Sequence, residues 1–389
     1  MSSPSPQPAS VLKLAVLPLI GFASAAALGY VALFTPSQQA LYSAAYTSGC
    51  TVPARKQLPT DITRGVLPQI DNALCVLLPF FKQLIADRAS IAGGALIFST
   101  LLPILMRQCY LASSPNTRSF FLGPLAVVLV HLIGRMTGIG FALASVGLLF
   151  QALGSYQQMQ RSSESLPVVP TPAGSVYWSN LLLSIITVLL FSVSTLESSG
   201  AKWTLASVAL LAYPAFLSLA LLLATAGVKT TKDERQGRTA LLEYSAEQVS
   251  YAFERKWSYY RKAALGSMAA YWFGLVRLGW AWQEGTLRFS GLPLFLFADY
   301  IGTVVYIILA IRIERLTIRS SAPTHPLTGQ PRSRLSLDCQ KAITLAPAGN
   351  PQLERGTWQP LVAGILCGPG MAAALGWREA AAVQGAKKN

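Results

Sequence analysis

Nine long apolar runs, separated by connections rich in lysine and arginine, constrain this chain more than any other feature. They fall at 11–34, 66–86, 91–106, 120–153, 175–194, 204–228, 264–283, 292–313 and 358–377. A helix needs about 20 apolar residues to cross the hydrocarbon core of a bilayer. Only structures that satisfy their own backbone hydrogen bonds survive there. The fold expected is therefore an all-α integral membrane protein, a bundle of eight or nine transmembrane helices. The lower number applies if 66–86, which holds Asp71, Lys82 and two prolines, dips into the membrane without crossing. The 120–153 stretch, interrupted by His131 and Arg135, suits one tilted helix with an interfacial extension and is too short for two full spans. The first run exceeds the apolar core of a signal peptide and is read as an uncleaved helix.

Composition agrees. Of 389 residues, 12% are charged and 52% hydrophobic, whereas a soluble domain carries about 25% charged residues to clothe its surface. The net charge of +15 does not point to nucleic acid, because the basic residues sit between apolar runs and form no separate basic domain. Five cysteines without CxxC spacing and two histidines indicate neither a zinc site nor a disulfide scaffold.

Two polar segments break the pattern. Residues 229–262 hold eight basic and five acidic residues and read as a basic extramembrane, surface-lying helix. Residues 314–357 form a basic, proline-containing loop. Together with Arg312, the two segments carry 15 of the 31 lysines and arginines. The positive-inside rule then places the amino terminus and both segments in the cytoplasm, with the endoplasmic reticulum as the expected membrane.

Ionisable groups inside apolar spans cost about 2.5–3.5 kcal/mol each on insertion scales, so each needs a reason. Asp71, His131, Arg135, Arg277 and Asp299 qualify, with Glu284 just past the seventh run. Asp299 lies about 10 Å deep at 1.5 Å per residue. It shares its half of the membrane with Arg277 and Glu284, and with Asp71 if nine spans are formed. A carboxylate pair beside an arginine, walled by apolar residues, would suit acid chemistry. Equally, Arg277 and Asp299 would neutralise each other as a packing ion pair, and Asp71 would cap a helix. His131 and Arg135, four apart, share a helix face; they would line a polar cavity or bond backbone carbonyls.

Aromatic residues crowd the seventh and eighth runs. Trp280 and Trp282 suit an interfacial belt. Tyr271 and Tyr300 lie deeper and are the better candidates to hold a cation against a ring face. The pairs Gly134/Gly138 and Gly364/Gly368 have the spacing of close helix packing. No phosphate loop, HExxH or GxSxG occurs. Paired Asp-rich motifs for Mg²⁺-diphosphate are also missing, and no metal or other cofactor is expected.

The stretches Leu67–Cys75 leading into Phe80–Phe81, Gly134–Gly140, Phe295–Tyr300, Gly368-Pro-Gly370 and Trp377-Arg378-Glu379 carry a resemblance. In order and spacing the chain resembles the fungal membrane-bound terpene cyclases of meroterpenoid pathways, the ascofuranone/ascochlorin type with relatives in indole-diterpene pathways. The resemblance covers most of the chain but not the 229–262 and 314–357 segments. It implies a non-diphosphate cyclase of secondary metabolism that protonates the epoxide or terminal alkene of a lipophilic prenylated substrate, which would enter from membrane lipid. Such chemistry needs a desolvated acid, a dry cavity and a terminating base. Asp71 and Asp299 would supply the acid, with Tyr271, Tyr300, Arg277, Glu284 and His131 lining the cavity. Two other classes stay open. A small-solute transporter also uses intramembrane charge, although the sequence displays no inverted repeat or symmetric pair of interrupted helices. A non-catalytic scaffold would use its basic segments for partners or anionic lipid.

Overall fold

A computed structural model describes residues 8–36, 38–40, 86–113, 119–161, 246–288, 290–320 and 364–374, with single positions at 43, 84, 205, 207–209, 216, 217, 219, 221 and 377. Most of the 66–86, 175–194 and 204–228 runs lies outside the described residues, as do Asp71 and the connection from 321 to 357. Among the described residues every regular element is helical.

Helix α1 (Pro8–Gly29) continues as a π-helical turn, Tyr30–Phe34. Helix α2 (Arg88–Ser113) starts at Asp87, whose Oδ2 accepts the Ser90 N–H at 2.8 Å and the Ser90 hydroxyl at 2.7 Å. That side-chain acceptor satisfies a donor the first turn would otherwise leave open. Helix α3 (Pro124–Thr137) opens with proline at its first position, where the missing N–H costs nothing. It is followed by α4 (Ile139–Ala142), a π turn (Leu143–Gly147) and α5 (Leu148–Arg161), which run on as one rod. The last long helices are α6 (Ala246–Gln283) and α7 (Leu292–Ser320).

Among the described residues, four stretches are long and apolar enough to cross a membrane: Val11–Phe34, Arg88–Cys109, Ile139–Gln160 and Leu292–Thr317. The arrangement is inside-out relative to a protein in water. Leu12, Leu19, Phe22, Trp272, Phe273, Ile301 and Ile308 face outward, while Arg107, Gln108, His131, Gln151, Asp299 and Glu314 are buried. An apolar exterior of this kind suits hydrocarbon and would be costly in water.

Helix α2 packs against both α6 and α7. Glycines set the close approaches. A Cβ on Gly93 of α2 would lie 2.8 Å from Leu296 Cβ of α7, and one on Gly274 of α6 would lie 3.1 Å from the Ala92 carbonyl oxygen. On the other side, α1 packs on α5 and α7. The main core joins Leu14, Ile104, Leu143, Leu148, Ile313 and Trp377.

One expectation changes, and a second segment gains definition. The 120–153 stretch is not one tilted helix, because Gly138 adopts φ 106° and breaks it. Its second half then extends through Gln151 and Gln157 to Arg161, long enough to span by itself. The carboxy-terminal half of 229–262 and the 264–283 run form one helix of 38 residues, about 57 Å at 1.5 Å per residue. A rod of that length exceeds the roughly 30 Å hydrocarbon core, so part of it extends beyond that core.

Candidate functional site

A helix that restarts inside the bundle has N–H groups with no partner in the preceding turn. At Gly138 that happens deep among α3, α4 and α7. Glycine is required there, since φ 106° strains any other residue and a Cβ would also lie 2.6 Å from Asp299 Oδ1. Asp299, two turns into α7 and 3% exposed, supplies the acceptor. Its Oδ1 takes the Gly140 N–H at 2.6 Å and the Phe141 N–H at 3.3 Å. A carboxyl group thus caps a half-helix from a different element, at the positive end of the half-helix dipole. Both of these hydrogen bonds fall on Oδ1.

The walls beside Asp299 are aromatic and aliphatic. Phe141 and Phe295 meet edge to face, their centroids 5.9 Å apart. They join Ala32, Ala298, Leu28 and Leu33 in a small apolar cluster. Phe295 precedes Asp299 by about one helical turn, and Tyr300 follows it, partly buried. Phe141, whose N–H bonds the carboxyl, thus brings its ring and that of Phe295 to the same region. Sequence reading passed over Phe141 because its membership rests on the Gly138 break.

The other sequence candidates are dispersed. Arg277 does not pair with Asp299; α2 separates α6 from α7, and among the described residues no ion pair joins them. Its guanidinium instead lies over Phe273 at 5.2 Å and Trp280 at 5.4 Å, one turn to either side on α6. The Tyr271 hydroxyl donates to the Ile365 carbonyl at 3.1 Å, and its ring abuts Gly368. Glu284 pairs with Arg88, both side chains 44% exposed, where the end of α6 meets the start of α2. His131 is buried on α3, and its Nε2–H donates to Gln108 Oε1 of α2 at 2.8 Å. Asp71 lies outside the described residues. Among the described residues no three His, Cys, Asp or Glu groups converge to hold a metal.

The glycine pairs act differently from their spacing. Gly134 packs on Ile139 of the next helix of its own segment, and Gly138 is the break. The close crossing belongs to Gly140, where a Cβ would strike the Asp299 backbone carbonyl, and to its partner Gly302. The same arrangement recurs near the carboxy terminus. Gly368 interrupts a helical segment at φ 90°, and Gly370 packs against Ser99 and Ser267, whose hydroxyl donates to the Ser99 carbonyl.

A second polar cluster was not anticipated. Arg107 of α2 and Glu314 of α7 form a buried two-point ion pair, Nε to Oε1 at 3.1 Å and Nη2 to Oε2 at 2.7 Å. Gln151 Nε2 of α5 donates to Glu314 Oε1 at 2.9 Å, and the Tyr306 hydroxyl donates to Gln151 Oε1 at 3.0 Å. Nearer Asp299, the Thr100 and Thr303 hydroxyls bond each other at 2.7 Å.

Comparison of the chain with protein-family models, with curated proteins and with solved structures finds no match to any of the three.

Proposed function

We propose that the chain is a polytopic membrane protein of eight or nine spans acting as a non-diphosphate terpene cyclase, with Asp299 as proton donor to an epoxidised or olefinic prenyl chain. The observation that carries this reading is the setting of the buried Asp299 carboxyl. Its Oδ1 is held by two backbone N–H groups, and an apolar and aromatic cluster that includes Phe141 and Ala298 lies alongside. A protonated Asp299 with its hydrogen on Oδ2 would give that proton to the substrate. The two N–H groups would then stabilise the charge left behind, without reorganisation, in a dry setting. Phe141 and Phe295 offer ring faces to the cation that results. Asp71, from the 66–86 run, is proposed as the second acid. The resemblance to the fungal cyclases supplies the substrate class.

Transport is the second reading, and one observation favours it. Helical segments are interrupted at Gly138 and again at Gly368, and discontinuous helices frame the sites of many secondary transporters. Microsomes containing only this protein separate the two. A panel of epoxyprenyl substrates should yield a cyclised isomer under the first reading. Under the second, sealed vesicles would accumulate solute and leave every epoxide unchanged.

A further inference from the structure

Four of the buried polar residues in the bundle lie on one face of one helix. Asp299, Thr303, Tyr306 and Glu314 of α7 follow at intervals of four, three and eight, and all are buried. That spacing keeps them on a single stripe. From Asp299 to Glu314 the stripe covers about 22 Å, most of the roughly 30 Å hydrocarbon thickness. Each level has a polar partner from another helix. Gly140 and Phe141 N–H groups meet Asp299, Thr100 meets Thr303, Gln151 meets Tyr306, and Arg107 with Gln151 meets Glu314. The Glu314 end reaches exposed Arg312 and Arg315.

Packing alone does not call for such a file. Two apolar helices associate through small residues and need no polar group at every second turn. The amides of Gln108 and Gln151 are also poor proton carriers. Beside Tyr306, however, a cavity of about 30 Å³ is lined by Gln108, Gln151 and Tyr306, with Phe121, Val130 and Phe150 as its apolar wall. A water needs roughly 10–15 Å³ and two to four polar partners, and this cavity provides both.

We propose that this file is a proton path, running from the aqueous phase at Glu314 past water held at Gln108, Gln151 and Tyr306, and by Thr303 to Asp299. The use made of the proton rests on the cyclase reading; the path does not. In each cycle Asp299 loses one proton to the substrate, and the cation later gives one up to a base, so the product is an isomer of the substrate. Asp299 is left as carboxylate in a dry site and must regain a proton from water before the next cycle. Tyr306 and Thr303 are positioning residues in this scheme, since they touch no reacting atom.

The test follows the Asp299 proton itself. Full-length protein in lipid nanodiscs is moved from H₂O to D₂O, and exchange is read from the infrared C=O stretch of Asp299, identified as the band missing in Asp299→Asn. Tyr306→Phe removes one hydroxyl and should slow exchange by roughly tenfold or more. Ser267→Ala, off the stripe, should exchange as the wild type does. Thr303→Val, isosteric and away from the cavity, gives the same reading should Tyr306→Phe fail to assemble. Unchanged exchange in the folded stripe variants would overturn the path. So would the absence of any protonated Asp299 band. Slowed exchange in a protein that makes no cyclised product would keep the path and remove the cyclase reading.

Discussion

Gly140 and Gly302 meet backbone to backbone where the restarted helix crosses α7. A Cβ on Gly302 would lie 2.8 Å from the Gly140 carbonyl carbon, and one on Gly140 would collide with the Asp299 carbonyl. This contact brings the N–H groups of Gly140 and Phe141 within reach of the Asp299 carboxyl, one turn before Gly302.

Alanine at either glycine should therefore force the helices apart. Gly140→Ala and Gly302→Ala are each expected to destabilise the protein by about 1–3 kcal/mol and to remove the Asp299 cap. Thermal unfolding in detergent measures this. Gly279→Ala is the control, because its Cβ meets nothing within 4 Å and alanine favours a helix by about 1 kcal/mol. Equal stabilities of Gly302→Ala and Gly279→Ala would refute the crossing.

The buried Arg107–Glu314 pair predicts a non-additive series. Removing one partner leaves a buried charge alone, at a cost of about 3–5 kcal/mol. Arg107→Met and Glu314→Leu should each lower the melting temperature strongly, and the Arg107→Met/Glu314→Leu double variant should recover much of the loss. A double variant as unstable as the sum of the singles would show that the two side chains do not share one interaction.

Glu284 is expected to be dispensable. Its partner Arg88 and its own carboxylate are both about half exposed, and such pairs contribute roughly 0–1 kcal/mol. Glu284→Gln should keep near-normal product and expression. Loss of product with intact folding would return Glu284 to the chemistry.

These contacts mark where sequence reading stopped. The helical class, the first, third and eighth apolar runs and the isolation of Asp299 in an apolar span were legible, because hydropathy and 1.5 Å rise determine them. Arg107 and Glu314 were not, because each lies at the edge of an apolar run, following Met106 and Ile313, and reads as the start of a loop. Nothing in the local pattern tells that two such boundary charges, 207 positions apart, pair in the interior. Gly134, Gly138 and Gly140 fit both a packing motif and a helix break. Spacing carries no information on φ, so Gly138 was assigned to the first role and belongs to the second.

Asp71 and Asp299 are proposed to act as a unit from two helices. Asp71→Asn and Asp299→Asn should each abolish most product, and the double variant should be scarcely worse. Near-normal product from Asp71→Asn would assign that residue to a helix cap, where asparagine serves about as well.

The central claim is that Asp299 hands a proton to a prenyl epoxide. Microsomes expressing equal amounts of the wild type and Asp299→Asn, supplied with the same prenylated epoxide, test it most directly by product mass spectrometry. Asparagine keeps the amide oxygen that Gly140 and Phe141 can still bond but has no acidic proton to give. The expected result is a cyclised isomer from the wild type and none above background from Asp299→Asn at matched folding. Equal product from the two proteins, or none from the wild type across the panel, would contradict the account.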